Sequence, residues 1–272
     1  MSILVKRGIF MKNRALLTKI LVAVSFLVMV AVNTLADLIP IGGVTTREVS
    51  DNYLTLITPA PYTFAIWGVI YILLALYTLY TLGMFGGNRA SQELLTRIGA
   101  LFAVSSLLNA LWIVAWHYEL LTLAAALILL ILIYLININL TLYKRPLSSR
   151  EGWFIRLPMA VYFGWITVAT LANVASWLVS LGWRGFGISD DKWAAAVLAA
   201  GALVGAAATL RLKDAAYGLA VIWGYAGILV HLLSPKGFGG EHPLVTAAAV
   251  GSIAFLALAL IGALVSLRRK KT

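Results

Sequence analysis

The 272-residue chain has no cysteine, only three histidines and few charged residues, which make up 11% of it. Without cysteine it cannot form disulfides or use a thiolate nucleophile, although the redox compartment stays undecided. His117, His231 and His242 show no metal-type spacing and all lie near the predicted outer edges, and no paired carboxylates occur within the apolar stretches. We therefore expect no metal site, no cofactor and no enzymatic activity.

Long apolar stretches make up most of the chain, which is 62% hydrophobic. A helix needs about 20 apolar residues to cross the hydrocarbon core, where every backbone polar group must be paired within the protein. The sequence therefore predicts an all-α polytopic membrane protein with about eight transmembrane helices. The predicted helices cover residues 15–36, 62–83, 97–116, 120–143, 155–181, 193–210, 215–233 and 243–267.

Basic residues are concentrated in alternate gaps between these stretches. If the N-terminus is cytoplasmic, 17 of the 21 basic residues lie inside and only Arg47, Arg184, Lys192 and Lys236 lie outside. This bias is what the positive-inside rule predicts, so we expect a plasma-membrane protein with both termini in the cytoplasm. A nucleic-acid surface would need one contiguous basic face instead, and nucleic acid is not an expected partner.

The sequence leaves two alternatives at the N-terminus, signal-peptide cleavage and a later start, and it gives one expectation for the outer edge. The first stretch exceeds the usual length of a signal-peptide core, yet the small residues Thr34 and Ala36 resemble a weak cleavage site. Translation starting at Met11 is an alternative to Met1. At the outer edge, His117 and Glu119 are expected to form a solvated interface pair.

The composition divides the chain into two parts, a five-helix membrane domain over 1–185 and a three-helix extension over 186–272. Seven of the nine tryptophans lie in the first part. Gly201-x-x-x-Gly205 in the sixth stretch permits close helix packing and is better explained by general packing than by a dedicated dimer contact. The longest connection between stretches, residues 37–61, has the length of a functional lid.

Aromatic and amide side chains recur at helical spacing in the second, third and fifth stretches. Trp67 and Tyr71 are four residues apart, and Asn109 and Trp112 are three apart, so each pair shares a helix face. A buried amide in lipid needs a partner, so Asn109 and Asn173 are expected to face inward. Interhelical hydrogen bonding alone would also explain both amides. An interfacial aromatic belt is the preferred explanation for Tyr62, Trp116, Trp153, Trp177 and Trp183.

These motifs resemble the tryptophan-rich sensory protein and translocator protein family (TspO/MBR). The resemblance covers residues of about 15–185 and rests on three motifs in order. They are Thr58, Pro59, Pro61, Phe64, Trp67 and Tyr71; Leu108, Asn109 and Trp112; and Tyr162, Trp165, Ala169 and Asn173. The resemblance implies a five-helix bundle, often a homodimer, with a pocket below the first outer loop. It also implies porphyrins, other tetrapyrroles, sterols and related hydrophobic molecules as ligands.

The leading functional hypothesis is a non-enzymatic receptor or sensor that binds a planar hydrophobic ligand. The alternative is a facilitator-type transporter of hydrophobic or amphipathic molecules, and a minor third is tryptophan-dependent photodegradation of a porphyrin. Expected partners are this ligand, membrane lipid and a second copy of the chain. The candidate ligand-binding residues are Pro61, Phe64, Trp67, Tyr71, Asn109, Trp112, Tyr162, Trp165, Ala169 and Asn173.

Overall fold

The computed structural model describes residues 3–85 and 90–268. Over these ranges the chain forms nine α-helices of seven or more residues and no strand, and eight of the helices are long and apolar enough to span a membrane. This confirms the predicted all-α class and the eight spans. The helices are α1 (Ile3–Leu38), α2 (Thr46–Asn52), α3 (Ile66–Leu82), α4 (Gln92–His117), α5 (Leu121–Tyr143), α6 (Leu157–Ser180), α7 (Asp190–Leu212), α8 (Ala215–Leu233) and α9 (Pro243–Arg268).

Local sequence signals explain where several of these helices begin and end. Gly83 terminates α3 in the left-handed conformation (φ 90°), which a residue without a Cβ adopts at low cost. The side chain of Ser91 caps the first turn of α4, and Asp214 caps α8 by accepting hydrogen bonds from two backbone N–H groups. A short 3₁₀ turn, Pro61–Ala65, leads into α3 and begins with proline, which has no N–H to leave unpaired.

The first five spanning helices form a closed ring. α4 packs against α1 and α5, α5 packs against α6, and α3 fills the gap between α6 and α1. Gly99 on α4 lets α1 approach closely, because a Cβ there would collide with the side chains of Thr18 and Val22. We call the end of the ring that carries residues 39–65 the lid end, and the opposite end, with Arg97, Arg145 and Arg156, the basic end.

The last three helices pack on one side of this ring. α8 lies against α6, and α9 covers both α7 and α8. A Cβ on Gly164 of α6 would lie 2.6 Å from the carbonyl oxygen of Tyr217, and one on Gly224 of α8 would lie 2.7 Å from Val168. The two backbones can approach this closely only because both positions lack a side chain.

A charged contact joins the extension to the ring at the basic end. Nε of Arg156 donates to Asp214 at 2.7 Å, and its Nη2 donates to the carbonyl of Leu212 at 2.7 Å. The guanidinium thereby satisfies a carbonyl at the end of α7 as well as the capping carboxylate of α8. The proposed boundary near residue 185 falls in the turn Gly185–Gly187, between α6 and α7.

The Gly201-x-x-x-Gly205 motif serves packing within the chain. Gly201 faces Leu171 and the hydroxyl of Tyr225, while Gly205 faces Val221 and Leu256. The preferred explanation, general small-residue packing, agrees with these contacts.

Gly164→Ala should destabilise the protein, because the new methyl group would collide with the backbone of α8. Overpacking of this kind costs about 1–3 kcal/mol. Thermal unfolding in detergent should therefore show a clear drop in Tm. Gly251→Ala on α9 is the matched control, since a Cβ there has nothing within 4 Å. Equal unfolding temperatures for the two variants would contradict the close α6–α8 packing.

Candidate functional site

Trp67 of α3 is the centre of an aromatic cluster at the lid half of the ring. Its ring stacks on Tyr71 (centroids 5.6 Å apart) and on Trp112 (6.1 Å), and it meets the edge of Trp165 at 6.2 Å. Tyr162 approaches it at 6.1 Å, and Phe64 makes a T-shaped contact with Trp165. Three helices, α3, α4 and α6, thus direct aromatic rings at one another.

A chain of buried amide and hydroxyl groups joins α1, α4 and α6 beside this cluster. Nδ2 of Asn33 donates to Oδ1 of Asn109 at 2.9 Å, and Nδ2 of Asn109 donates to the hydroxyl of Tyr162 at 3.1 Å. On the lid side, the indole N–H of Trp112 donates to Oδ1 of Asn173 at 2.9 Å. Asn109 and Asn173 face inward, as expected, and each has a hydrogen-bond partner on another helix.

An inner cavity lies between the cluster and the lid. It holds about 30 Å³, enough for one or two water molecules. The indole Nε1 of Trp165, a residue that is 1% exposed, has no hydrogen-bond partner among the described residues. The cavity is lined by Thr46, Ser50, Pro59, Phe64, Trp67, Trp112, Trp116, Trp165, Val168, Ala169, Ala172, Asn173 and Ser176.

A larger outer groove of about 490 Å³ lies between α1 and α3. Thr46, Phe64 and Trp67 line both spaces and together form the wall between the inner cavity and the outer groove. The groove is lined by Asn33, Thr34, Asp37, Leu38, Thr45, Thr46, Arg47, Pro61, Phe64, Trp67, Tyr71 and Ile113.

The connection between α1 and α3 forms a structured lid over the inner cavity. α2 begins with a capping box, in which the Thr45 side chain accepts from the backbone N–H of Glu48 and Glu48 accepts from the backbone N–H of Thr45. The Glu48 carboxylate also accepts from the Thr45 hydroxyl at 2.9 Å, and the two bonds that it accepts from Thr45, the backbone one first, lower the pKa of Glu48. At the other end of α2, the hydroxyl of Tyr53 donates to Glu119 at 2.7 Å, and this bond raises the pKa of Tyr53.

Two residues at the top of α4 hold the lid and differ from their predicted roles. Trp116, expected in an interfacial belt, is buried, and its indole N–H donates to the carbonyl of Thr46. His117, expected to form a solvated pair with Glu119, is 2% exposed; its Nδ1–H donates to the carbonyl of Ile113 and its Nε2 approaches the Thr46 hydroxyl at 3.4 Å. Glu119 binds the lid residues Asn52 and Tyr53 instead. Both expectations were wrong because the lid supplies partners that neighbouring residues in sequence do not reveal.

Comparison with known proteins identifies the family to which the chain belongs. A family model described as TSPO-like protein matches residues 19–262. The chain belongs to the TSPO-like family. No curated protein and no solved structure matches the chain. The matched range runs well beyond residue 185, so the last three helices of this TSPO-like protein lie almost entirely within the family match.

The structure brings all ten sequence-derived candidates of this TSPO-like protein into one region. Phe64, Trp67, Trp112, Trp165, Ala169 and Asn173 line the inner cavity, while Pro61 and Tyr71 line only the outer groove. Asn109 and Tyr162 line neither space and form the hydrogen-bonded chain beside Trp67. Sequence reasoning missed Asn33, Asp37, Thr46 and Trp116 as parts of the site. The spacing Thr45-x-x-Glu48 was a readable signal for a helix start in the lid.

The extension of this TSPO-like protein contacts the entry segment, residues 58–65, which leads into the site. Along α8, the indole N–H of Trp223 donates to the carbonyl of Thr63 at 2.9 Å. The backbone carbonyl of Gly227 accepts from the N–H of Ala60 at 3.0 Å. One turn further, Nδ1–H of His231 donates to the carbonyl of Thr58 at 2.8 Å. Three successive turns of α8 thus fix the backbone that positions Phe64 and Trp67.

Replacing Tyr53 with phenylalanine should loosen the lid, because it removes the charge-assisted hydrogen bond to Glu119. Such a bond contributes roughly 1.5 kcal/mol or more, so amide hydrogens of Thr46–Asn52 should exchange about tenfold faster. Hydrogen–deuterium exchange with mass spectrometry measures this directly. Tyr118→Phe, at an exposed ring on α4's end, is the control and should leave the lid unchanged. Unaltered exchange in Tyr53→Phe would show that Glu119 does not hold the lid.

Trp223→Phe combined with His231→Phe should release the entry segment from α8. Two side-chain donors to its carbonyls disappear, so exchange of the amide hydrogens in residues 60–66 should accelerate by roughly 30-fold, at about 1 kcal/mol per bond. Trp193→Phe is the matched control, because that indole donates to Gly185 in a turn far along the chain from the entry segment. If both variants exchange alike, α8 does not hold this segment.

Proposed function

We propose that this TSPO-like protein is a membrane receptor or sensor for a flat, largely apolar small molecule of the porphyrin or sterol class. The observation that carries the proposal is the position of Trp67. Its ring forms part of the wall between the inner cavity and the outer groove and lies within about 6 Å of four aromatic rings on three helices. Parallel and perpendicular rings at this spacing offer stacking surfaces to a planar ligand.

The sizes of the two spaces indicate how such a ligand would enter. Sites for small molecules hold about 300–1,000 Å³, so the outer groove is large enough and the inner cavity is not. A ligand would first occupy the outer groove between α1 and α3, reached from the surrounding lipid. Movement of the half-buried Phe64 and Trp67 side chains would then join the groove to the cavity under the lid.

Polar groups around the two spaces restrict the ligand's chemistry. The unpartnered indole N–H of Trp165 would satisfy a hydrogen-bond acceptor on the ligand. Asp37 and Arg47 line the outer groove near its lid side, where a polar substituent would remain hydrated. We therefore infer an amphipathic ligand, with an apolar planar body and at least one acceptor such as a carbonyl or carboxylate oxygen.

A facilitator-type transporter is the second candidate, and the outer groove between α1 and α3 is the observation that favours it. Such a groove would let a hydrophobic solute exchange with the bilayer. Flux of the solute into protein-containing vesicles, above the rate in protein-free vesicles, would distinguish transport from reception.

We propose no enzymatic role for the protein. We also propose that it lies in the plasma membrane with both termini in the cytoplasm, and that it assembles as a homodimer.

Protoporphyrin should quench the tryptophan fluorescence of the protein saturably. Trp67→Ala combined with Trp165→Ala should weaken binding about 10- to 100-fold, because each lost aromatic contact contributes roughly 1 kcal/mol or more. Trp153→Phe is the control, since this indole is 69% exposed at the basic end. Undiminished affinity in the double variant, measured by porphyrin absorbance, would remove the aromatic cluster from the binding site.

A further inference from the structure

A second cavity lies at the basic end, on the opposite half of the ring from the aromatic cluster. It is a groove of about 510 Å³ on the outer surface of α4, flanked by α1 and α5, and we call it the basic groove. It is lined by Arg14, Gln92, Glu93, Thr96, Arg97, Ala100, Leu101 and Asn137. None of these residues belongs to the candidate ligand site.

The charge balance of the basic groove favours an anion. Arg14 on α1 and Arg97 on α4 both contribute exposed guanidinium groups. Glu93, the one carboxylate among the lining residues that the structure describes, is bound to Arg145 at 2.9 Å. The lining and its neighbour Arg145 thus bring three guanidinium groups together with one carboxylate. Guanidinium groups bind phosphate oxygens with two parallel N–H donors, more specifically than a lysine does.

Asn137 is a separate observation that points to a polar occupant. This amide lies on an exposed face of α5, six residues before the helix ends at Tyr143, or about 9 Å along the helix axis. A carboxamide on a lipid-facing surface is costly unless it has partners. One of its N–H groups donates to the carbonyl of Ile133 at 2.8 Å, and the second remains for an acceptor in the groove.

The rest of the lining fits a molecule with one polar and one apolar end. The hydroxyl of Thr96 accepts from Gln92 at 3.3 Å and keeps its own proton to donate. Further toward the middle of α4, Ala100 and Leu101 are apolar. Polar donors thus lie near the helix start, and apolar side chains follow them into the span.

We propose that the basic groove binds the phosphate headgroup of an acidic phospholipid from the leaflet at the basic end. Arg14 and Arg97 bind the phosphate oxygens, Thr96 and Asn137 add hydrogen bonds, and the glycerol and acyl region lies along Ala100 and Leu101. Basic pockets between transmembrane helices are suited to acidic headgroups for these reasons. A lipid held here contacts α1, α4 and α5 together.

The test uses the full chain in detergent, with native mass spectrometry to count retained lipids during titration with phosphatidylglycerol or phosphatidylcholine. The wild-type protein should retain phosphatidylglycerol in preference to phosphatidylcholine. Arg14→Gln combined with Arg97→Gln should weaken that binding about tenfold or more, because two charge-assisted contacts are lost. Lys144→Gln combined with Arg211→Gln removes two charges outside the groove and should leave binding within about twofold of the wild type.

Asn137→Leu tests the groove without changing any charge. Leucine suits a lipid-facing position, so this variant should fold normally, yet it should bind phosphatidylglycerol a few-fold more weakly because one hydrogen bond is lost. Unchanged retention in both the arginine and the asparagine variants would overturn the proposal. Equal retention of the two lipids would also overturn it. Displacement of the lipid by millimolar inorganic phosphate would assign the groove to a free anion instead.

Discussion

The lid half of the molecule depends on one constraint, the cost of burying a carboxamide among apolar helices without a hydrogen-bond partner. Asn33, Asn109 and Tyr162 meet this need as a single chain of hydrogen bonds across α1, α4 and α6. The chain fixes the rotation of three helices about their axes. With the helices fixed, the rings around Trp67 face one another, and the buried indole N–H of Trp165 has no hydrogen-bond partner among the residues that the structure describes.

The last three helices are part of the structure that shapes the candidate site. α8 approaches α6 through Gly164 and Gly224 and bonds to the backbone of the entry segment. The family match runs through residue 262 and so includes most of the extension. A change in the position of α8 would reach Phe64 and Trp67 through a few backbone hydrogen bonds. The extension therefore has a physical means of changing the geometry of the candidate site.

The lengths of the apolar stretches predicted the eight spans, because the cost of exposing backbone polar groups to lipid leaves helices as the fitting form. The inward orientation of Asn109 and Asn173 followed from the cost of a buried amide. The partner Asn33 could not be predicted, since it lies 76 residues from Asn109 and the spacing within α1 carries no matching signal. Trp116 and His117 were misassigned for the same reason, as their partners come from the lid. The contacts of α8 follow no motif at all.

Photolabelling would test the central claim, that a planar ligand binds at the aromatic cluster, most directly. A porphyrin bearing a diazirine would be irradiated with the protein in lipid nanodiscs, and the labelled peptides identified by mass spectrometry. The account predicts label on Phe64, Trp67 or Tyr71 and on the lid helix α2, abolished by excess unmodified protoporphyrin. Label confined to the lipid-facing surfaces of α7 and α9, or label that protoporphyrin does not displace, would contradict it.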